Sequence, residues 1–343
     1  MSPLEPRIKS WAHELGFDVC RIARATAVPH AEDFHQWLAQ GKHATMAWLE
    51  RTPERRCDPA LVLPGCQSLI CLALNYFPGR LAMPTPPGFR IARYAWNLDY
   101  HDLIEHRLQA FNQRLTSLGG CQKPYVDTGP VLERDHATAA GLGWNGKSTM
   151  QIHPHLGTWF FLAEILTTLD LTADKPMADH CGKCTRCITA CPTDAITAPH
   201  QLDARRCISF LTIEHKGPIP TEFRKAIGDR IYGCDSCLDA CPWNRFATQS
   251  RELAFHARST IFENRLRDFL VLDDASFRAL FAQSPIKRVK RARFLRNVCV
   301  ALGNTGTPDD LPALARAATD PDPLIAEHAT WAITQIQQHH LAG

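Results

Sequence analysis

No stretch of the chain approaches 18 consecutive apolar residues. The longest candidates, near Leu61–Leu74 and Thr158–Ile165, are broken by Pro, Gly, Cys or polar residues, which argues against a membrane-spanning helix. The opening residues, MSPLEPRIKSWAHELGFDVCRIA, lack the basic, apolar and small-residue regions of an export signal, so a cytoplasmic protein is expected. An excess of charge is lacking too. Lys and Arg total 38 against 35 Asp and Glu, a net charge of +3, and the total points to no partner. A nucleotide-binding glycine pattern is also absent. The turn Gly141-Leu-Gly-Trp-Asn-Gly146 has the wrong spacing and the wrong element order for NAD or ATP, and its glycines are expected to allow close backbone approach or positive φ.

Cysteine is what the chain has in plenty. Of fourteen, eight fall between 181 and 241. Without an export signal, metal ligation in a reducing compartment suits them better than disulfides. The first run is Cys181-x2-Cys184-x2-Cys187-x3-Cys191-Pro192. Two-residue gaps let three successive sulfurs turn inward onto one cubane, and the fourth, before proline, points to a second cluster. The second run, Cys234-x2-Cys237-x3-Cys241-Pro242, has only three cysteines, and Cys207 supplies the missing eighth. The bacterial ferredoxin pattern assigns Cys181, Cys184, Cys187 and Cys241 to one [4Fe–4S] cluster and Cys191, Cys207, Cys234 and Cys237 to the other. Zinc also takes four-cysteine sites, but this gap sequence ending in Cys-Pro is much less natural for it. Two close clusters imply electron transfer. Cys20, Cys57, Cys66, Cys71, Cys121 and Cys299 are scattered, and most are expected to be buried small hydrophobes.

The 343 residues leave room for two to three domains. Residues 1–175 read as an α/β domain. Helices are expected over 5–15, 100–118 and 133–140, strands over 17–22 and 68–74, and extended chain over 124–127. The apolar run 159–166 is expected to be helix on its length. Residues 176–245 form the ferredoxin-like two-cluster insert. Residues 246–343 read as all-α, with striped segments parted by the turns GNTGTPDD and TDPDP. Paired short helices of this kind suggest a HEAT-like fragment, and a small helical bundle fits the periodicity equally.

One local charge excess stands out. KRVKRARFLR carries Lys287, Arg288, Lys290, Arg291, Arg293 and Arg296 with no acid. On a helix these would cover one side and leave Val289, Phe294 and Leu295 for the core. Such a face suits nucleic-acid phosphates, or it is a solvated helical surface. Arg205, Arg206 and Lys216 flank the cluster region and would extend it.

Seven stretches, in order along nearly the whole chain, carry a resemblance: RYAWNLDYH (93–101), YVDTGPVLER (125–134), AGLGWNGKSTM (140–150), CGKCTRCITACPTDAI (181–196), DARRCISFLTIEHKG (203–217), RIYGCDSCLDACPWN (230–244) and FLRNVCVALGN (294–304). On these the chain resembles the epoxyqueuosine reductases of queuosine biosynthesis. The resemblance implies cobalamin bound by the N-terminal domain near the second cluster. It also implies a tRNA partner carrying epoxyqueuosine at the wobble position, reduction of its cyclopentane epoxide to an alkene, an external low-potential electron donor, and a monomer. The family uses no dedicated histidine on cobalt, and the Asp-x-His-x-x-Gly corrinoid motif is absent here, since Asp99-Tyr-His101 continues without the glycine.

Asp127 matches the family's catalytic aspartate, and a carboxyl with a raised pKa would protonate the opening epoxide. The plain alternative is a turn cap at Thr128–Pro130, with Glu133 and Asp135 as neighbouring candidates. Arg56 and Tyr94 match the corrinoid-contacting region. Arg56 would meet a corrin amide or the nucleotide-loop phosphate, and Tyr94 would pack near substrate. Ser148 and His155, with Lys147, lie where the corrinoid tail is expected, and Ser209 reaches it from the cluster side. Trp96, Trp144 or Trp243 would stack on a base. The nearest rivals are a reductive dehalogenase, whose N-terminal domain the family's resembles, and a non-catalytic iron–sulfur electron carrier.

Overall fold

The computed structural model describes residues 3–79 and 88–341. Its organising element is a four-stranded antiparallel sheet of β1 (Val19–Arg24), β2 (Ser68–Asn75), β3 (Gln122–Tyr125) and β4 (Phe160–Thr167), in the order β1-β2-β4-β3. Every residue of β2 is buried. Side chains alternate along a strand, and here both faces are covered. Ile70, Leu72 and Leu74 point to one face and pack under α1 (Leu4–Glu14) and α2 (Tyr100–Thr116), against Ile8, Ile104, Leu108 and Phe111. Leu69, Cys71 and Ala73 point to the other and pack with Ala137 of α3 (Glu133–Ala139) and Leu142.

The run 159–166, expected as helix, is the inner strand β4. A strand covered on both faces loses the apolar–polar alternation and reads as one continuous apolar run, and its length alone suggested a helix.

The cysteine-bearing insert has short helices at Arg186–Thr189 and Ser236–Asp239. Strand Arg230–Tyr232 pairs in parallel with Arg90–Ile91 of the N-terminal region. The C-terminal helices α4 (Lys290–Thr305), α5 (Leu311–Ala317) and α6 (Pro323–Leu341) pack around α4, and their core takes in Phe89, Ile91, Ala95 and Trp96. The sheet, the insert and the helices therefore share apolar surface. Cys20, Cys57, Cys66, Cys71 and Cys299 are buried as expected, while Cys121 is exposed.

The basic run does not form one face. Residues 285–289 make a 3-10 turn, and α4 starts only at Lys290. Arg296 is fully buried. Its guanidinium donates to the carbonyls of Leu211 (2.7 Å), His215 (2.8 Å) and Gly217 (2.7 Å) and to Asn297 Oδ1. Arg291 is engaged by Asp320 and the Leu272 carbonyl, and Arg293 by the carbonyls of Val289, Ile213 and Arg288. Arg291 and Arg296 are thus structural cations that tie α4 to neighbouring segments. Only Lys287, Arg288 and Lys290 of the six are exposed, with Lys216 across a groove that Lys290 and Arg293 also line. Arg296→Ala would take the shared donor from the buried Leu211 carbonyl and the half-buried His215 and Gly217 carbonyls, and we expect it to cost on the order of 3 kcal/mol. Anaerobic thermal melting checks this. An unchanged melting temperature with weakened RNA binding would restore Arg296 to the nucleic-acid face.

Candidate active site beside two cysteine quartets

Strand β3 ends in a tight turn that presents Asp127. Its φ is +56°, a left-handed conformation that Asp tolerates better than most residues, and the Thr128 N–H donates back to the Val126 carbonyl at 2.6 Å. Asp127 also meets α2 end-on. Asp99 caps that helix, accepting the His101 N–H at 3.0 Å. The same cap points Tyr100 and His101 at Asp127. The Tyr100 hydroxyl donates to Asp127 Oδ2 at 2.5 Å, and His101 Nε2 stands 3.7 Å from the same oxygen, an ion-pair distance rather than a hydrogen bond. His101 Nδ1 contacts Asp99 Oδ1 at 2.8 Å. Beneath the turn, Glu133 at the start of α3 accepts the Asp127 N–H at 2.8 Å. Behind Glu133 lies Glu164 of β4, fully buried.

These contacts sort the protons. The Asp127 side chain is 61% accessible. Protein nevertheless crowds it enough for desolvation to push its carboxyl up, but His101 and the Tyr100 hydroxyl outweigh that and hold it below the ordinary carboxylate value. The raised pKa expected of Asp127 is therefore absent from the resting site, because two donors on α2 favour the anion. Burial alone would lower His101, yet Asp127 and Asp99 raise it to about 9. Burial and the charge of Asp127 raise Glu133 to about 7, and burial with Glu133 raises Glu164 well above the usual range. At neutral pH these shifts favour an imidazolium beside an anionic Asp127, above the half-buried Glu133 and the buried Glu164, which between them retain a proton.

The other site residues fall in several places. Tyr94 is half-buried, its ring 6.0 Å from Tyr100 and 6.1 Å from Tyr232. Arg56 lies beside the turn, with long contacts of 3.4 Å to the carbonyls of Gly129 and Trp48, and its buried Nε has no partner. Arg288, bonded twice to Glu214, adds positive charge toward Asp127. Ser148 lines the cavity of the first cysteine run, and Lys147 bonds the Gly182 carbonyl there. His155 is exposed on the loop before β4, its carbonyl bonded to Thr248. Asp135 turns away to His30. Trp96 and Trp144 are buried and unavailable for stacking, while Trp48, which the sequence did not single out, is 42% exposed beside Arg56. Gly141 and Gly143 sit where a Cβ would collide with the carbonyls of Lys175 and Ile152.

The eight cysteines are brought into two quartets. Cys181, Cys184, Cys187 and Cys241 line one cavity, and the first three each press on the Cys241 thiol electrostatically. Cys191, Cys207 and Cys234 do the same to Cys237. This is the crossed grouping of the ferredoxin pattern. Among the described residues no three His, Cys, Asp or Glu side chains converge closely enough for a single ion. Ser209 stands against the second quartet, where its backbone N–H bonds the Cys207 sulfur. Cys237 packs into the same core as Tyr94 and Tyr100, so this quartet adjoins the Asp127 site.

Comparison with known proteins decides the family. Residues 180–244 match the 4Fe-4S double cluster binding domain, and residues 56–128 match "Epoxyqueuosine reductase QueG, DUF1730". An epoxyqueuosine reductase of Xanthomonas campestris pv. campestris is 43% identical over 96% of this chain and 95% of its own length. The chain belongs to the epoxyqueuosine reductase family. Its fold is shared with an epoxyqueuosine reductase solved with an epoxyqueuosine-modified tRNA-Tyr stem loop, at TM-score 0.89 and 32% identity over 97% of this chain and 90% of that one. It is shared equally with the Bacillus subtilis reductase, solved with its catalytic aspartate loop swung out of the active site, at TM-score 0.88 and 30% identity over the same shares. With a matched double-cluster domain, this reductase carries two [4Fe–4S] clusters, and no helix among its described residues is long and apolar enough to cross a membrane.

Proposed function

We propose that Asp127 faces the epoxide of epoxyqueuosine in tRNA, and that this reductase removes its oxygen to give the alkene of queuosine. The observation that carries the reading is the geometry at Asp127, whose carboxylate faces the Tyr100 hydroxyl and His101 and whose N–H is held by Glu133, on a core that Cys237 of a cysteine quartet also joins. The reaction breaks both C–O bonds of the epoxide and releases the oxygen as water, consuming two electrons and two protons. The His101 imidazolium stores one proton, which Asp127 hands to the departing oxygen. The Glu133–Glu164 pair stores a second. Tyr100 orients Asp127, and Glu133 holds its turn in place through the Asp127 N–H.

Cobalamin, when bound, supplies the metal centre that gives the electrons to a ring carbon. The residues present suit it. Arg56 keeps an unpartnered buried Nε and only loose carbonyl contacts, as expected of a guanidinium that awaits a stronger acceptor such as a corrin amide or phosphate. Tyr94 would meet the corrinoid beside Tyr100, Ser209 from the side of the second quartet, and Ser148 and His155 at its outer parts. The tRNA backbone would run over Lys216, Lys287, Arg288 and Lys290, with Arg293 at the groove edge. The protein acts as a cytoplasmic monomer.

The direct test is anaerobic incubation of the iron-loaded protein with cobalamin, a low-potential reductant and epoxyqueuosine tRNA, followed by nucleoside mass spectrometry. Loss of one oxygen that depends on corrinoid is the expected result, and no conversion with both cofactors bound would sink the reading. Reversing Lys287 and Lys290 to glutamate should weaken stem-loop binding and reduce its salt dependence by about one charge per lost contact. Binding that keeps its full salt slope would move the RNA elsewhere.

A further inference from the structure

The two cysteine quartets meet solvent differently. The quartet of Cys237 is set into the core that carries Tyr94 and Tyr100. The quartet of Cys181 lies under an exposed loop, in which Gly182, Lys183, Thr185 and Arg186 all face solvent. Beside that loop an aromatic ladder leads inward. Phe246 is 46% exposed. Its ring centroid is 5.6 Å from that of Trp243, which lines the cysteine cavity and stands 4.9 Å from buried Trp144. Arg245 lies over the Phe246 ring at 4.4 Å. Lys183 and Arg186 are exposed cations without a carboxylate partner, and the acids near them already have one: Asp179 accepts the Cys181 N–H at 2.7 Å, and Asp239 pairs with Arg93 at 2.8 Å.

We propose that this face is the electron-entry site, where a small acidic electron-carrier protein docks its negative rim on Lys183 and Arg186 and brings its redox group against Phe246 and Trp243. The inference rests on the two-cluster reading above. Epoxide reduction consumes two electrons, RNA brings none, and the outer quartet is the cluster that a protein partner can approach. Each docking oxidises one carrier by one electron and reduces the outer cluster by one, and two dockings supply a turnover. An exposed ring with the cations Lys183 and Arg186 on the neighbouring loop suits a transient, electrostatically steered encounter, in which charge sets the association rate and a small apolar contact sets the orientation.

The test uses the holoprotein with both clusters loaded, and follows cluster bleaching by anaerobic stopped flow with either of two probes, a reduced acidic flavodoxin-type carrier or dithionite. With the carrier, the bimolecular rate should fall as salt rises. In the Lys183→Glu/Arg186→Glu variant it should fall by about tenfold or more at low salt, while dithionite reduction and stem-loop affinity stay as in the parent protein. Should that variant lose iron, Phe246→Ala, which removes only a surface ring, is expected to slow the carrier step alone. A carrier rate unchanged in the iron-replete variants overturns the proposal, as does a loss of stem-loop affinity with the carrier rate intact, which would make this an RNA surface. A protein that never holds two clusters fails at the loading step, and that outcome refutes the two-cluster reading rather than the docking face.

Discussion

Asp127→Asn is expected to slow epoxide reduction by roughly 10²–10⁴-fold, the usual worth of a positioned general acid. Asparagine tolerates the left-handed backbone as well as aspartate does, so the turn at φ +56° should persist. It still accepts from the Tyr100 hydroxyl, but it cannot relay a proton. The pH dependence separates this from a folding defect. His101 is raised to about 9 by Asp127 and Asp99 against the pull of burial. Its proton is present below that value and is lost as pH rises through it, so the parent enzyme should lose activity with an alkaline limb near pH 9. In the variant one of the two carboxylates is gone, so whatever activity remains should fail at lower pH. Single-turnover rates across pH, with iron content and stem-loop affinity as controls, read this directly. A variant with parental rates would remove Asp127 from the chemistry.

Cys207→Ala should abolish turnover while leaving half of the iron. Cys207 lies outside both compact cysteine runs, yet it joins Cys191, Cys234 and Cys237 in the quartet next to Tyr94. Without it that cluster lacks a ligand, and the connection from the outer cluster to the reaction site is broken. Iron analysis should fall from about eight to about four per chain, in keeping with two four-iron clusters. Dithionite should still bleach the outer cluster. Cys121→Ser, which alters an exposed cysteine outside both quartets, should change neither reading. Retention of all the iron in Cys207→Ala would mean that another residue serves as the eighth ligand.

The two cysteine runs were legible because cluster ligation is largely a local matter. Gaps of two and three residues decide which sulfurs can turn onto one cubane, and Cys-Pro marks the one that leaves for the other. Even the distant Cys207 followed from the need for an eighth ligand. The helix at 100–116 was legible for a similar reason: an Asp cap precedes a stripe that recurs with helical period, and Ile104, Leu108, Phe111 and Leu115 are buried as that stripe requires.

Other features depended on what the chain folds against. β4 could not be told from a helix because both of its faces are covered, which erases the pattern that marks a strand. The six cations of 287–296 looked alike in sequence, and only the packing of α4 showed that Arg296 serves buried carbonyls while Lys287 and Lys290 meet water. The proton order of the active site was least accessible of all. Asp127, His101, Glu133 and Glu164 come from four separate segments, and each one's ionisation is decided by the others and by burial. The sequence by itself determined the two clusters and the family, because ligand spacing and motifs held in order along the chain encode them. Which cations of the basic run meet water, and which carboxyls burial favours in the protonated form, only the tertiary structure decided, because desolvation and charge pairing act between segments that are distant along the chain.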